Sequence, residues 1–233
     1  MGKRKLSPTL WRTCRVLMNE VRLRLLWAVV RYADQLNVTG ISRELGMPQP
    51  IATMGLRALQ ARGLIGVRRE RYSVYYNLKT DRSLPEATRL REAFRRYFES
   101  MELADDWTAQ MMVLLKAFTH FNRLAMLRRL AVGEATKADL EKASGVVVKT
   151  VEHHLRHLSR AGLIEVQETS GGVSVYRLAK PSHPVAQELL RQTLEGDESY
   201  FNAATGSERD LRLVHDGDGN RGFIKLDTRP IYD

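Results

Sequence analysis

The sequence predicts a mainly α-helical chain with small β-hairpins, an α+β fold in which one compact unit occurs twice. Three observations predict it. Sliding the chain on itself by 99 residues gives ten identities over 44 ungapped positions, from Arg24-Leu25 on Arg123-Leu124 to Val67 on Val166. Each copy places apolar residues at helical spacing and follows them with two β-rich runs joined by a turn. Glycines stand at matching helix ends, Gly46 and Gly145, then Gly63 and Gly162.

Taken in order, Leu10 to Glu20 reads as an outer helix ahead of the first copy. Within that copy Ala52, Leu56 and Leu59 form the inner stripe of a helix ended by Gly63, with Pro48 and Pro50 compatible with its first turn. The second copy is clearer. Asn122 to Val132 is helically periodic, and Thr136-Lys-Ala-Asp139 resembles a capping box, with Asp in place of the usual Glu, opening a short helix that Gly145 ends. Val151, Leu155 and Leu158 then mark a further helix, at i, i+4 and i+7, closed by Gly162. Two β-rich runs follow, Leu163–Gln167 and Val173–Leu178, around the turn Glu168–Gly172. Tyr76 and Leu78 fall on Tyr176 and Leu178 at a shift of 100, which puts the extra residue of the second copy in a turn. Helix, helix, helix and hairpin is the winged helix-turn-helix arrangement, whose later helix enters a DNA groove while the hairpin lies on the backbone.

Flanking segments are helical too. Ser83-Leu-Pro-Glu86 resembles a capping box ahead of Leu90, Phe94, Tyr97, Phe98 and Met101 on one face; after Asp105-Asp106, the residues Trp107, Met111, Leu114, Leu115 and Phe118 repeat the pattern. Val185 to Leu194 is the matching outer helix of the second copy. Residues 205–233 read as a β-hairpin, Leu211–Val214 and Phe223–Leu226. Asp216, Asp218, Asn220 and Asp227 occupy positions 1, 3, 5 and 12 of a calcium loop, but Arg221 replaces the required glycine and Asp227 the bidentate glutamate, so a plain turn is expected. The organisation is therefore a first winged-helix domain at 1–83, interface helices at 84–118, a second domain with its C-terminal helix at 119–204, and a hairpin extension at 205–233.

At 43% hydrophobic and 27% charged residues the chain can bury a core, which excludes a disordered tail. No apolar run reaches the ~18 residues of a bilayer span, and Arg22, Arg24 and Arg31 interrupt the best candidate, Leu23 to Val30. Met1 to Lys5 followed by Leu6-Ser7-Pro8 does not read as a secretory signal, and one cysteine, Cys14, fits a reducing compartment. A cytoplasmic location is expected, with Cys14 a small core residue. The net charge of +10 favours a polyanionic partner. It is unevenly spread: +11 over residues 1–83, −1 over 84–118, +4 over 119–180 and −4 over 181–233.

Thr150-Val-Glu-His-His-Leu-Arg-His-Leu-Ser-Arg-Ala-Gly-Leu-Ile164, preceded by Asn122-Arg-Leu-Ala-Met-Leu127 and closed by Val175-Tyr-Arg-Leu178, resembles the ArsR-like winged-helix regulators. Residues 20–79 resemble them less sharply. Members usually form homodimers with one unit per chain, so a chain with two suggests a single-chain pseudo-dimer in which the flanking helices dock one copy on the other; periodicity alone also allows each to pack on its own unit's core. The family's best-known activity is metal sensing. The helices that precede the reading helices, Gly40 to Leu45 and Lys137 to Ser144, hold no cysteine, so that activity is not expected here.

The candidate DNA-reading residues follow from the helical wheel. Lys149, Glu152, His153, Arg156 and His157 lie opposite the stripe of Val151, Leu155 and Leu158, with Thr150 at the helix start. Lys and Arg pair with guanine edges or phosphates, while Glu152 would accept from cytosine and repel phosphate. The matching face of copy one, Pro50, Thr53, Met54 and Arg57, with Gln49 nearby at the helix start, is much less polar, and Thr53 or Met54 suits a thymine methyl. Its hairpin carries Arg68, Arg69 and Arg71 around Glu70, followed by Tyr72, as a phosphate clamp; the other wing turn has no basic residue. Lys3-Arg4-Lys5 suits either a minor-groove arm or a solubilising tail. His153 and His157, at i, i+4, could share a metal, but no carboxylate pair completes a site, and neither a metal nor a cofactor is expected.

No nucleophile elbow, phosphate-cradling glycine loop or His-Glu-x-x-His motif is present, so no enzyme is expected. The reading is a sequence-specific transcriptional regulator bound to double-stranded DNA through two unlike reading helices and one basic wing. Half-sites of about 34–36 Å spacing in an imperfect palindrome would suit it, and a further homodimer is compatible with it. The rival is a winged-helix scaffold in a chromosome-associated complex, favoured by the weakly polar copy-one helix and the acidic C-terminal segment.

Overall fold

Asn19 divides the first two helices, α1 (Leu10–Leu17) and α2 (Glu20–Arg31), where one outer helix to Glu20 is expected from the sequence. Its backbone is extended (φ −156°, ψ 123°) and its side chain accepts from the Arg22 N–H at 3.0 Å, an N-cap that restarts the helix. The computed structural model describes residues 10–71, 73–78, 84–100, 106–169 and 172–195, together with the strand backbones 211–215 and 221–225. Lys3-Arg4-Lys5, Tyr72, Ser83 and Met101 lie outside them, as do Asp216, Asp218, Asn220 and Asp227.

After α2 come α3 (Val38–Glu44), capped by Asn37 on the Gly40 N–H, and α4 (Gln49–Gln60), whose first turn holds Pro50. β1 (Gly66–Glu70) and β2 (Ser73–Asn77) form an antiparallel hairpin, Gly66 opposite Asn77 and Glu70 opposite Ser73. α5 (Pro85–Ser100) and α6 (Trp107–Ala117) follow.

The order then recurs. α7 (Phe121–Val132) leads to β3 (Ala135–Thr136), α8 (Lys137–Ser144), α9 (Val148–Arg160), β4 (Ile164–Glu168) and β5 (Ser174–Leu178). Thr136 and Asp139 close both halves of the capping box, and Gly145 ends α8 in the left-handed region at φ +69°. β3 is too short for any sequence period to reveal; it pairs with β5 to give a three-stranded sheet ordered β3-β5-β4. Beside the β1–β2 hairpin the corresponding place holds a single bridge, Asn37 to Tyr75. The chain ends in α10 (Pro184–Glu195) and the hairpin β6 (Leu211–His215) with β7 (Arg221–Lys225), antiparallel from Leu211 opposite Lys225 to His215 opposite Arg221.

The inner stripes bury as the helical spacing requires: Ala52, Leu56 and Leu59 in α4, Val151, Leu155 and Leu158 in α9. Gly55 lets α4 approach α2 closely, since a Cβ there would lie 2.3 Å from Leu25 Cδ1. In the middle of the chain, α6 packs on α1 and α2 and also on α9, while α5 packs on α2 and α10. Phe94 and Phe118 are fully buried there. Gln192 Nε2 of α10 donates to the Glu86 carbonyl of α5 at 2.9 Å, and Arg128 Nε of α7 to the Thr193 carbonyl of α10 at 2.7 Å. Cys14 is buried in α1, and that burial pushes its thiol far above the ordinary range.

Candidate nucleic-acid interface

The twelve candidate side chains stand on α4, the first hairpin and α9. On α9, Lys149, His153 and Arg156 are exposed opposite the buried stripe, while Thr150 and His157 are half-buried. Glu152 is exposed on the same side but is held by α8: Lys137 Nζ donates to Glu152 Oε1 at 2.7 Å, which keeps that carboxyl below its usual range. The carboxylate that would repel phosphate is thereby compensated. Among the described residues Lys149 and Arg156 make no ion pair, so their charges face solvent. His153 Nε2 and His157 Nε2 lie 3.3 Å apart.

On α4, Gln49, Pro50, Met54 and Arg57 are exposed. The face is apolar at its centre, with Met54 70% and Ile51 44% exposed. Thr53 is half-buried, and its hydroxyl donates back to the Gln49 carbonyl at 2.8 Å, so its methyl and lone pairs remain for a partner.

The β1–β2 hairpin separates its three arginines. Arg69 and Arg71 are exposed, and Arg71 holds the hairpin turn in the left-handed region at φ +49°. Arg68 is engaged from three sides: its Nε lies 3.2 Å from Asp34 Oδ1, it pairs with Glu70, and its guanidinium sits 4.7 Å over the Tyr75 ring directly across the ladder. Asp34 thereby raises the Arg68 pKa further. The β4–β5 hairpin has no cation on β4, and its Glu165 accepts from Arg177 Nε of β5 at 2.7 Å.

Sequence reasoning missed the charge and imidazole cluster behind α9. His154, 4% exposed, meets Arg123 of α7, 5% exposed, with Nδ1 and Nη1 3.2 Å apart. Arg123 also donates through Nε to the Ala117 carbonyl at 3.0 Å, and through Nη2 to the Lys116 carbonyl at 2.7 Å and Thr119 Oγ1 at 2.8 Å, tying α7 to the end of α6. The signal was available for His154, which follows Val151 by three residues and so falls on the core stripe. Burial lowers the Arg123 pKa to about 10, so it stays charged at neutral pH.

Among the described residues no group of three or more His, Cys, Asp or Glu is placed to hold a metal ion, and no helix is long and apolar enough to cross a membrane.

No curated protein matches the chain. Among solved structures it is similar to the solution structure of the homodimeric winged helix-turn-helix DNA-binding domain, fragment 1–100, of a possible ArsR-family transcriptional regulator from Mycobacterium bovis. The identity is 22%, over 46% of this chain and 96% of that one, with a TM-score of 0.33. Residues 121–166, running from the first residue of α7 through α8 and α9 into β4, match the family of bacterial regulatory proteins of the arsR type.

Proposed function

We propose that the chain is a sequence-specific transcriptional regulator that binds double-stranded DNA through two winged helix-turn-helix units held together as a single-chain pseudo-dimer, acting in the cytoplasm. The observation that carries this reading is the outer face of α9. Lys149, His153 and Arg156 are exposed opposite a fully packed stripe, after a tight turn and before a hairpin, within the segment that matches arsR-type regulators.

In this reading α9 lies in the major groove, where Arg156 and Lys149 meet guanine edges or phosphates and Thr150, His153 and His157 supply further polar contacts. Arg69 and Arg71 hold the backbone beside the first unit, with Arg68 organising the wing. From α4, Gln49 and Arg57 offer polar contacts and Thr53 and Met54 suit thymine methyls. The packing of α6 on α1, α2 and α9, and of α5 on α2 and α10, supports the pseudo-dimer, since these helices cover both units at once. No cofactor is needed.

The exposed Met54 and Ile51 favour a second reading of one unit only, in which α4 meets a protein while α9 meets DNA. In vitro selection from random duplexes separates the two. Two reading units return an imperfect palindrome with half-sites about 34–36 Å apart; a single reader returns one half-site. No enrichment with folded protein refutes both.

A further inference from the structure

We propose that the seat of α9 on α6 and α7 is a proton-responsive joint, one that holds only while His154 is neutral, so that mild acid loosens the second reading helix.

The argument begins with a donor count. A guanidinium can only donate, so the Arg123 Nη1 contact at 3.2 Å requires a lone pair on His154 Nδ1. His154 is therefore the neutral tautomer with its hydrogen on Nε2, and that buried nitrogen has no hydrogen-bond partner among the described residues. Protonating Nδ1 would set N–H against N–H beside a charged arginine and bury a second cation next to it. Arg123 has little freedom to yield, because its Nε and Nη2 are already taken by the Ala117 and Lys116 carbonyls and Thr119.

The charged and titratable groups gathered around His154 oppose a further charge there. From the α6–α7 connection the His120 ring lies 4.8 Å from the His154 ring, and its Nδ1 accepts from the Asn122 N–H at 3.3 Å, capping α7. On α9 itself, the His153 ring lies 5.8 Å from His154 and 4.7 Å from His157. Lys116 of α6 and Arg160 of α9 bear on His157, and Arg15 of α1 on His120. The carboxylate of α9, Glu152, is committed to Lys137 of α8. Burial first, then these cations, lowers His154 to about 4 and His157 to about 4, and lowers His120 below its ordinary value.

The sign follows from linkage. Between pH 6.5 and about 4 the opened helix binds a proton that the docked helix refuses, so docking weakens as pH falls through that window. For His154 alone the opening constant rises roughly fifteenfold between pH 6.5 and pH 5.

Two measurements on the full chain, with chelator present throughout, test the joint. A long-range nitrogen–proton spectrum at pH 6.5 should show His154 neutral with hydrogen on Nε2; an imidazolium or the other tautomer overturns the proposal without any variant being made. Amide hydrogen exchange at Leu155 and Leu158 should then lose protection roughly fifteenfold more between pH 6.5 and 5 in the wild type than in His154→Gln, whose amide oxygen still accepts from Arg123. Equal pH dependence in the two proteins overturns it.

Discussion

Replacing Arg69 and Arg71 together by alanine is expected to flatten the salt dependence of DNA binding by about 1.8 units of log–log slope, at about 0.9 for each phosphate no longer neutralised. Both side chains are exposed at the first hairpin, one on β1 and one in its left-handed turn. Arg68 is expected to behave differently although it is the neighbouring residue. Its guanidinium is shared among Asp34, Glu70 and the Tyr75 ring, so Arg68→Ala should leave the slope unchanged and instead lower the thermal midpoint. That loss is small, since solvent screening leaves exposed ion pairs and an exposed cation–π contact little net stabilisation. A labelled random-sequence duplex, followed by fluorescence anisotropy from 50 to 200 mM salt, reads the difference. Over that fourfold range the wild type should lose about twelvefold more affinity than the double variant. A slope unchanged in the double variant, or flattened equally by Arg68→Ala, refutes the division of labour within this wing.

Three further perturbations bear on other elements. Arg156→Ala should relax preference at one position of the selected site by about 1–3 kcal/mol in competition binding, whereas a uniform loss across sequences would assign Arg156 to phosphate. Gly55→Ala should destabilise the fold by about 1–3 kcal/mol in urea, despite alanine's better helix propensity, because its Cβ would meet Leu25 Cδ1 at 2.3 Å. Thr136→Ala removes the N-cap acceptor of α8 and should cost about 1 kcal/mol by the same measurement, with Thr136→Ser close to wild type.

What was legible in the sequence was local. The Thr136–Asp139 capping box, the left-handed Gly145 and the Val151-Leu155-Leu158 stripe each depend on residues within about two helical turns, and each stands as the spacing implies. What was not legible joins distant residues. Arg68 and Asp34 are 34 positions apart, and Asp34 takes a left-handed backbone at φ +60°, neither of which composition signals. Arg123 and His154 are 31 apart, and spacing alone assigns each to a helix without saying that the two helices share one buried charge. β3 escaped for another reason, since two residues carry no period at all.

The proposed regulator divides between its units what a homodimer would duplicate. The first unit has exposed cations on its wing and an apolar centre to its helix; the second has a cationic and imidazole-bearing helix and a wing whose Glu165 is spent on Arg177. Backbone attraction supplied by one unit raises the local concentration of DNA at the other, so the clamp should set overall affinity and α9 should set which site is preferred. Among the described residues those concerned share no partner: Arg69 and Arg71 belong to the first hairpin, and Arg156 to α9, which packs on α6, α7, α8 and β4. Their effects on binding should therefore add in free energy. A shortfall from additivity would mean that releasing the wing also moves α9, and the path for that would run through α6, the helix that touches both units.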